Sequence, residues 1–434
     1  MNPCKKEEYI NLSDENAAKV VPLVDQHLKP LEDDPLLWSD DELNFLDPLK
    51  DAEITGMGEA THGTSEFFNA KHRVFRYLVE KLNYKIFAIE ADFGESLLIN
   101  DAIQRGASDE IPDLMKNKML FWTWRTKEVG DLLSWMCEYN KDKPEDERLQ
   151  YMGVDCQYDI YNSDMLKEYL QNTQAPFLDS ADIILDIVKT ACLNYFKNYS
   201  QGPFNALEDK VKHLQDSMSF YKKFLSDASS AKEFDLNNRI LRIIEQTMEV
   251  TYYTNSGNNS FDYRDKYMAE NAAWLHDYFD GKKIFLWAHN GHIARNSDYY
   301  LKSASMGDYL GQDLGDKYIA IGQLFSKGSF NALGYSGGNY TGPVSFTIHD
   351  DPKPNSLNAI LYNCRTADFA LKMSDLQSNE IWTSLFIFPK IVPILSVGAV
   401  YTGNPANYYA TFYPRYFDYL FYLDNTSASH FISN

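Results

Sequence analysis

An α/β fold is predicted, with a mostly parallel central sheet flanked by helices and an inserted α-helical subdomain. Three observations predict it. Short apolar runs rich in Ile, Phe and Val recur along the chain. Helical patterns separate them. One long stretch, residues 161–280, has amphipathic patterns and no strand signal.

The runs read as strands buried on both faces, the pattern of a parallel sheet. They are Ala52–Met57, Lys85–Ile89, Leu149–Val154, Lys283–Ala288, Tyr318–Gly322 and Tyr419–Leu423. Between the first two, Phe67, Val74, Phe75, Leu78, Val79 and Leu82 recur at helical spacing. Thr64 or Ser65 is placed to cap that helix through its hydroxyl. A second helix is read over Glu128–Asn140. The expected organisation is a helical lead-in over 1–45 and a first half of the core over 46–160. A lid-like helical insert covers 161–280, with helices near Ala206–Leu225 and Asn237–Tyr253 around a loop at Ser256–Ser260. The second half of the core covers 281–434.

Composition limits the function. Hydrophobic residues make up 44% and aromatics 15%, enough for a full core and too aromatic for a disordered chain. A formal charge of -21 disfavours nucleic acid and anionic membrane surfaces. No apolar stretch is long enough for a transmembrane helix, since Pro389 and Pro393 interrupt Ile381–Val400. The first residues lack the apolar segment of a signal peptide. Five dispersed cysteines without a C-x-x-C pair point to a reducing, cytoplasmic compartment. Cys4 reads as an ordinary terminal residue, the alternative being the remnant of a trimmed lipoprotein signal.

Polar residues fall where the strands end. Glu59 and His62 follow the first, Glu90 and Asp92 the second, Asp155 and Gln157 the third, His289 and His292 the fourth. Ligands of open α/β sheets bind beyond the carboxyl ends of the strands. These residues are therefore expected around one pocket. Within Gly58-Glu59-Ala60-Thr61-His62-Gly63, the glycines permit a tight turn and close approach to a ligand. An accessible imidazole such as that of His62 suits a general base near neutral pH. Glu59 or Glu90 is placed to orient its ring. Arg264 is a candidate oxyanion clamp, against the plainer reading of a surface arginine paired with Asp262 or Asp265. Asp155 and Gln157 are candidates for binding substrate hydroxyls, or for capping loops. Trp122 belongs to a set of aromatics suited to a large, partly apolar ligand. Arg73 reads as a structural ion pair.

At these residues the sequence resembles the erythromycin esterase family. The resemblance is carried by Gly58–Thr64, Glu66-Phe67-Phe68, Lys71-His72-Arg73, Ala88-Ile89-Glu90 and Trp124 with Glu128 and Trp135. Further matches are Gly153–Gln157, Arg264–Ala269, Ala288–His292, Phe417-Asp418 and Asp424-Asn425-Thr426. It implies an α/β core with a helical insert, similar to a wider group that includes haem-binding and TraB-like proteins. It implies hydrolysis of an ester or lactone without metal, cofactor or serine nucleophile, with macrolide antibiotics among the candidate substrates. The implied base is His62, with Glu59 and Glu90 as acidic partners and Arg264, His289 and His292 as further essential positions. The implied partner is a small molecule.

Three rivals stand beside this reading. His62, Glu90, His289 and His292 would make a Zn²⁺ or Mn²⁺ ligand set. Gly334-Tyr335-Ser336-Gly337-Gly338 fits G-x-S-x-G, but a nucleophile elbow needs a helix after it, and the residues after Gly338 read as a loop and strand. A non-enzymatic binder of haem or another ligand would use His289 or His292 as an axial ligand.

Overall fold

The structure is a computed structural model. It describes residues 8–9, 14–197, 199–257, 260–297, 303–336, 338–385, 390–412 and 415–432. Cys4, Gly337 and part of the Ser256–Ser260 loop lie outside them.

Twelve strands are described: β1 (Glu8–Tyr9), β2 (Lys29–Pro30), β3 (Ile54–Met57), β4 (Tyr84–Asp92), β5 (Gln150–Asp155), β6 (Lys283–Trp287), β7 (Tyr318–Ser336), β8 (Asn339–Ile348), β9 (Asp368–Lys372), β10 (Lys390–Leu395), β11 (Tyr409–Phe412) and β12 (Tyr419–Thr426). By internal packing the chain divides into two units. The first comprises residues 1–88, 102–150 and 275–434, the second residues 89–101 and 151–274.

The first unit is built on a sheet in the order β2-β9-β12-β7-β3-β6-β4. β3 runs parallel to β6 and β7, and β12 runs parallel to β7. All four residues of β3 are buried, as expected of a strand covered on both faces. The edge departs from the parallel pattern, because β9 pairs antiparallel with β12 and β2 antiparallel with β9. β8 folds back antiparallel on β7. A smaller three-stranded sheet has the order β1-β10-β11.

Aromatic rings fill the space between the sheet and the Ser65–Leu82 helix. Phe75 stands 5.0 Å from Phe87 and 5.6 Å from Phe285. Trp287 stands 4.8 Å from Phe68 and 5.1 Å from Trp124. Thr64 is the helix's N-cap, but its side chain makes no capping hydrogen bond. Its hydroxyl is turned to that of Thr61, and the Ser65 hydroxyl donates to Glu128 Oε1 at 2.7 Å. The Thr64 hydroxyl stays within its own loop and the Ser65 hydroxyl ties its helix to the Lys127–Asn140 helix, which corrects the expected cap.

The second unit holds the last residues of β4, nearly all of β5 and a set of helices. Asn162–Asn172, Leu178–Leu193, Gln201–Phe220, Lys222–Ala228, Ala231–Asn255 and Ser260–Tyr278 succeed one another with no strand among the described residues. Their apolar faces pack together, with Phe204 stacked on Tyr252 at 3.8 Å. No described helix is long and apolar enough to cross a membrane. Ile381–Val400 is divided between the Glu380–Leu385 helix and β10.

Candidate active site

Strand register builds the site of the first unit. Met57 on β3 lies opposite Trp287 on β6 and Ile321 on β7. Two residues further along each chain stand Glu59, His289 and Gln323, side by side. Backbone contacts lock them: Asn290 N donates to Glu59 O at 3.0 Å, and the Asn290 side chain exchanges hydrogen bonds with the Gln323 backbone. Gly58 and Gly63 are required by this closeness. A Cβ on Gly58 would lie 2.4 Å from Asn290 Oδ1, and one on Gly63 2.3 Å from Asn331 O. Neither has a positive φ. The chain turns at His62–Gly63, and the glycines also admit neighbouring chain segments.

Glu59 is the centre of the cluster, and its carboxylate is wholly buried. Its Oε1 accepts from His62 Nδ1 at 3.0 Å. Its Oε2 accepts from Trp287 Nε1 at 2.6 Å and pairs with Lys71 Nζ at 2.7 Å. A carboxylate only accepts, so the His62 proton sits on Nδ1 and the lone pair on Nε2. The His62 side chain is 14% exposed, so its ring reaches the surface of the cluster.

His289 is built the opposite way. It caps the short Asn290–Ile293 helix, and its Nδ1 accepts from Gly291 N at 3.1 Å. Its proton therefore sits on Nε2, which lies 3.4 Å from Ser396 Oγ. The His62 and His289 rings are 5.1 Å apart. One imidazole thus offers an acceptor and the other a donor within the same small region. The 397–398 segment closes the cluster, as Val397 N donates to Ala60 O at 2.7 Å and His62 N to Gly398 O at 3.3 Å. His292 is half-buried, with its ring 6.5 Å from that of His289. Trp124 stands 6.4 Å from His62. Trp122 packs on Phe431 at 6.1 Å.

The remaining predicted residues lie in the second unit. Arg264 Nε and Nη2 donate to the two oxygens of Asp155 at 2.9 and 2.8 Å, and Nη2 donates to Glu90 Oε1 at 2.7 Å. All three side chains are buried. Burial alone would depress the guanidinium's pKa, but Asp155 and Glu90 outweigh it and hold the charge well in place. Arg264 is therefore a buried cation, not the surface arginine of the plainer reading. Nearby Asp92 accepts from Glu95 N at 3.1 Å, and burial pushes its carboxyl up to about 8. Gln157 is half-buried.

Arg73 pairs with Asp40 at 2.6 Å and also donates to Trp38 O. Among the described residues, no three His, Cys, Asp or Glu side chains form a metal-holding group. Gly334–Ser336 closes β7, which leads into β8, so a strand comes after the G-x-S-x-G match where an elbow needs a helix.

Sequence reasoning gives Lys71 no role in the site beyond the resemblance, and counts Trp287 only among the aromatics, with Trp122 and Trp124, that suit a large, partly apolar ligand. A signal for Lys71 exists in the sequence: it occupies the apolar stripe Phe67-Lys71-Val74-Leu78 of its helix. Trp287 carries no such signal, because a strand indole reads as core.

The erythromycin esterase family model matches residues 79–426. The chain belongs to the erythromycin esterase family. That membership makes it an erythromycin-esterase-like hydrolase. The matched span begins after Gly58–Thr64, so the opening motif rests on its own residues and geometry. Erythromycin esterase type II of Escherichia coli is 26% identical over 323 residues, covering 68% of this chain and 75% of that protein. The putative hydrolase YbfO of Bacillus subtilis is 27% identical over 367 residues, covering 78% of each. A crystal structure of a Bacillus cereus protein shares the fold with a TM-score of 0.81 at 24% identity, covering 96% of this chain and 99% of that one.

Proposed function

We propose that the protein hydrolyses a carboxylic ester or lactone, with His62 activating water. One observation carries the reading: Glu59 accepts the hydrogen bond of His62 Nδ1–H, which leaves Nε2 as the base, 5.1 Å between rings from an imidazole held as a donor.

Water bound at His62 Nε2 gives its proton to that nitrogen while its oxygen attacks the carbonyl carbon. The carbonyl π pair moves to oxygen. The His289 Nε2–H donates to the resulting oxyanion. Collapse breaks the bond to the leaving oxygen, which takes the proton back from His62, giving an acid and an alcohol. Glu59 stabilises the imidazolium between these steps. General base catalysis and an oxyanion donor each supply about 10²–10³-fold, which is adequate for an ester. His292 is read as a substrate contact beside His289, and Trp122 as an aromatic one. In the second unit, Glu90 and Asp155 are read as the groups that hold the Arg264 guanidinium. The name of the Escherichia coli relative makes a macrolide lactone the first substrate to test.

The test is hydrolysis of erythromycin and p-nitrophenyl acetate by wild type and His62→Ala, with and without chelator. His62→Ala is expected to lower kcat by at least ~10²-fold with folding unchanged. A folded His62→Ala protein with near-normal turnover ends the assignment.

A further inference from the structure

Lys71 is a fully buried lysine on the Ser65–Leu82 helix. Its Nζ pairs with Glu59 Oε2 at 2.7 Å, donates to Gln323 Oε1 at 2.5 Å, and stands 4.9 Å from the Trp287 ring centroid. Lysine is almost never fully buried unless paired. An apolar residue of similar volume is often as good for stability as a buried ion pair. The position therefore calls for an explanation beyond packing.

Glu59 connects two cations or potential cations. One oxygen faces His62 and the other faces Lys71. An ammonium on the far oxygen offsets the carboxylate's charge, so the imidazole feels less of it. Without that ammonium, the Glu59–His62 pair would hold a proton more tightly, whichever of the two carried it. A base must be neutral to act, so this offset sets how much of the enzyme is active near neutral pH.

We propose that Lys71 is a positioning residue that keeps His62 in its neutral, basic form by offsetting the charge of Glu59 from the opposite side. The inference rests on the reading of His62 as the general base. The titratable groups placed around the pair are Glu59 from the loop after β3 and His289 from the loop after β6. β7 presents the neutral Gln323, β6 the indole of Trp287, the 122–124 turn the indole of Trp124, and Lys71's own helix the ring of Phe67. Burial depresses the Lys71 ammonium to about 8, against the pull of Glu59, so the offset is present at neutral pH and fades just above it.

The experiment is an NMR titration of ¹³C-labelled histidine in the full chain. Wild type, Lys71→Met and Lys71→Gln are compared, with His62 assigned by the signal missing from His62→Gln. Both Lys71 variants are expected to raise the protonation midpoint by about one pH unit or more. The acid limb of kcat/KM on p-nitrophenyl acetate should move with it. Lys71→Gln retains a hydrogen-bonding group, so it separates charge from packing. In wild type, the His62 signal should shift a second time near pH 8, as Lys71 loses its proton. That readout stands even where a variant fails to fold. An unchanged or lowered midpoint in a folded variant overturns the proposal, as does a wild-type His62 signal blind to the second step. A raised midpoint with normal turnover in His62→Ala would keep the coupling and discard the hydrolytic reading. An unchanged midpoint with an inactive His62→Ala would do the reverse.

Discussion

The two units carry charged clusters of opposite design. In the first, a buried carboxylate, Glu59, receives donors from His62, Trp287 and Lys71. In the second, a buried guanidinium, Arg264, is held by the carboxylates of Asp155 and Glu90. The side chains of the second cluster are all under a tenth exposed, whereas the first ends on an imidazole that is 14% exposed. Both clusters bury charge at a cost that only good pairing offsets. The difference lies in the outlet. A cluster that ends on a half-open imidazole can pass a proton outward, while three interlocked charges of fixed sign hold position. The contrast teaches that a buried ion pair next to a titrating ring is a means of tuning that ring.

The largest effect expected from this comparison is on stability. Arg264→Met leaves two buried carboxylates without their cation and should cost ~3–5 kcal/mol in urea denaturation. An unchanged unfolding midpoint would break the contrast, since the second cluster would then not be holding anything. Trp287→Phe keeps a ring in the aromatic core but removes the N–H that reaches Glu59. It should cost about 1.5–3 kcal/mol and lower kcat, whereas loss of stability with full turnover would demote Glu59 to a packing role.

Two smaller tests use pH. Burial raises the Asp92 carboxyl to about 8, so the folded protein holds a proton there that the unfolded chain releases near ~3.9. That contribution is complete below about pH 4 and is lost as pH rises toward 8. Asp92→Asn carries no such proton, so its Tm should gain on wild type between pH 5 and pH 8. A Tm difference that is flat with pH would contradict the assignment. His72 is the converse. It is buried against Trp135, neither ring nitrogen has a hydrogen-bond partner among the described residues, and burial lowers its pKa to about 4. Its stabilisation is present above ~6.5 and lost as pH falls toward 4. His72→Phe should therefore gain about 1 kcal/mol or more on wild type at pH 5, with turnover unchanged. A variant that loses activity would mean that the ring serves the site.

Strands buried on both faces are the legible part of the fold. β3 and β6 match their apolar runs to within two residues, because most positions there are buried and apolar. β4 extends past its run to Asp92, since Glu90 and Asp92 stay buried by finding partners instead of water. β8 is legible only as a strand somewhere after Gly338, and its bounds are not, because most of its side chains are exposed and its pairing with β7 is made by backbone. β7 runs on to Ser336 beyond its apolar run because this continuation pairs with β8. In the site, Glu59, His62 and His289 are legible because they come directly after strands. Lys71 is not, because helix periodicity reports a face and not a partner.

The sequence alone determined which segments are buried strands, where the helical stretch lies, and that acids and imidazoles sit at the strand ends. Tertiary structure alone decided that β7, β3 and β6 are neighbours, and so that Gln323, Glu59 and His289 stand in a row. It also decided that Lys71 meets a glutamine 252 residues away and the Glu59 carboxylate that orients His62. The physical reason is that burial is written into local residue types, while register and charge compensation arise between segments that meet only when the chain is folded.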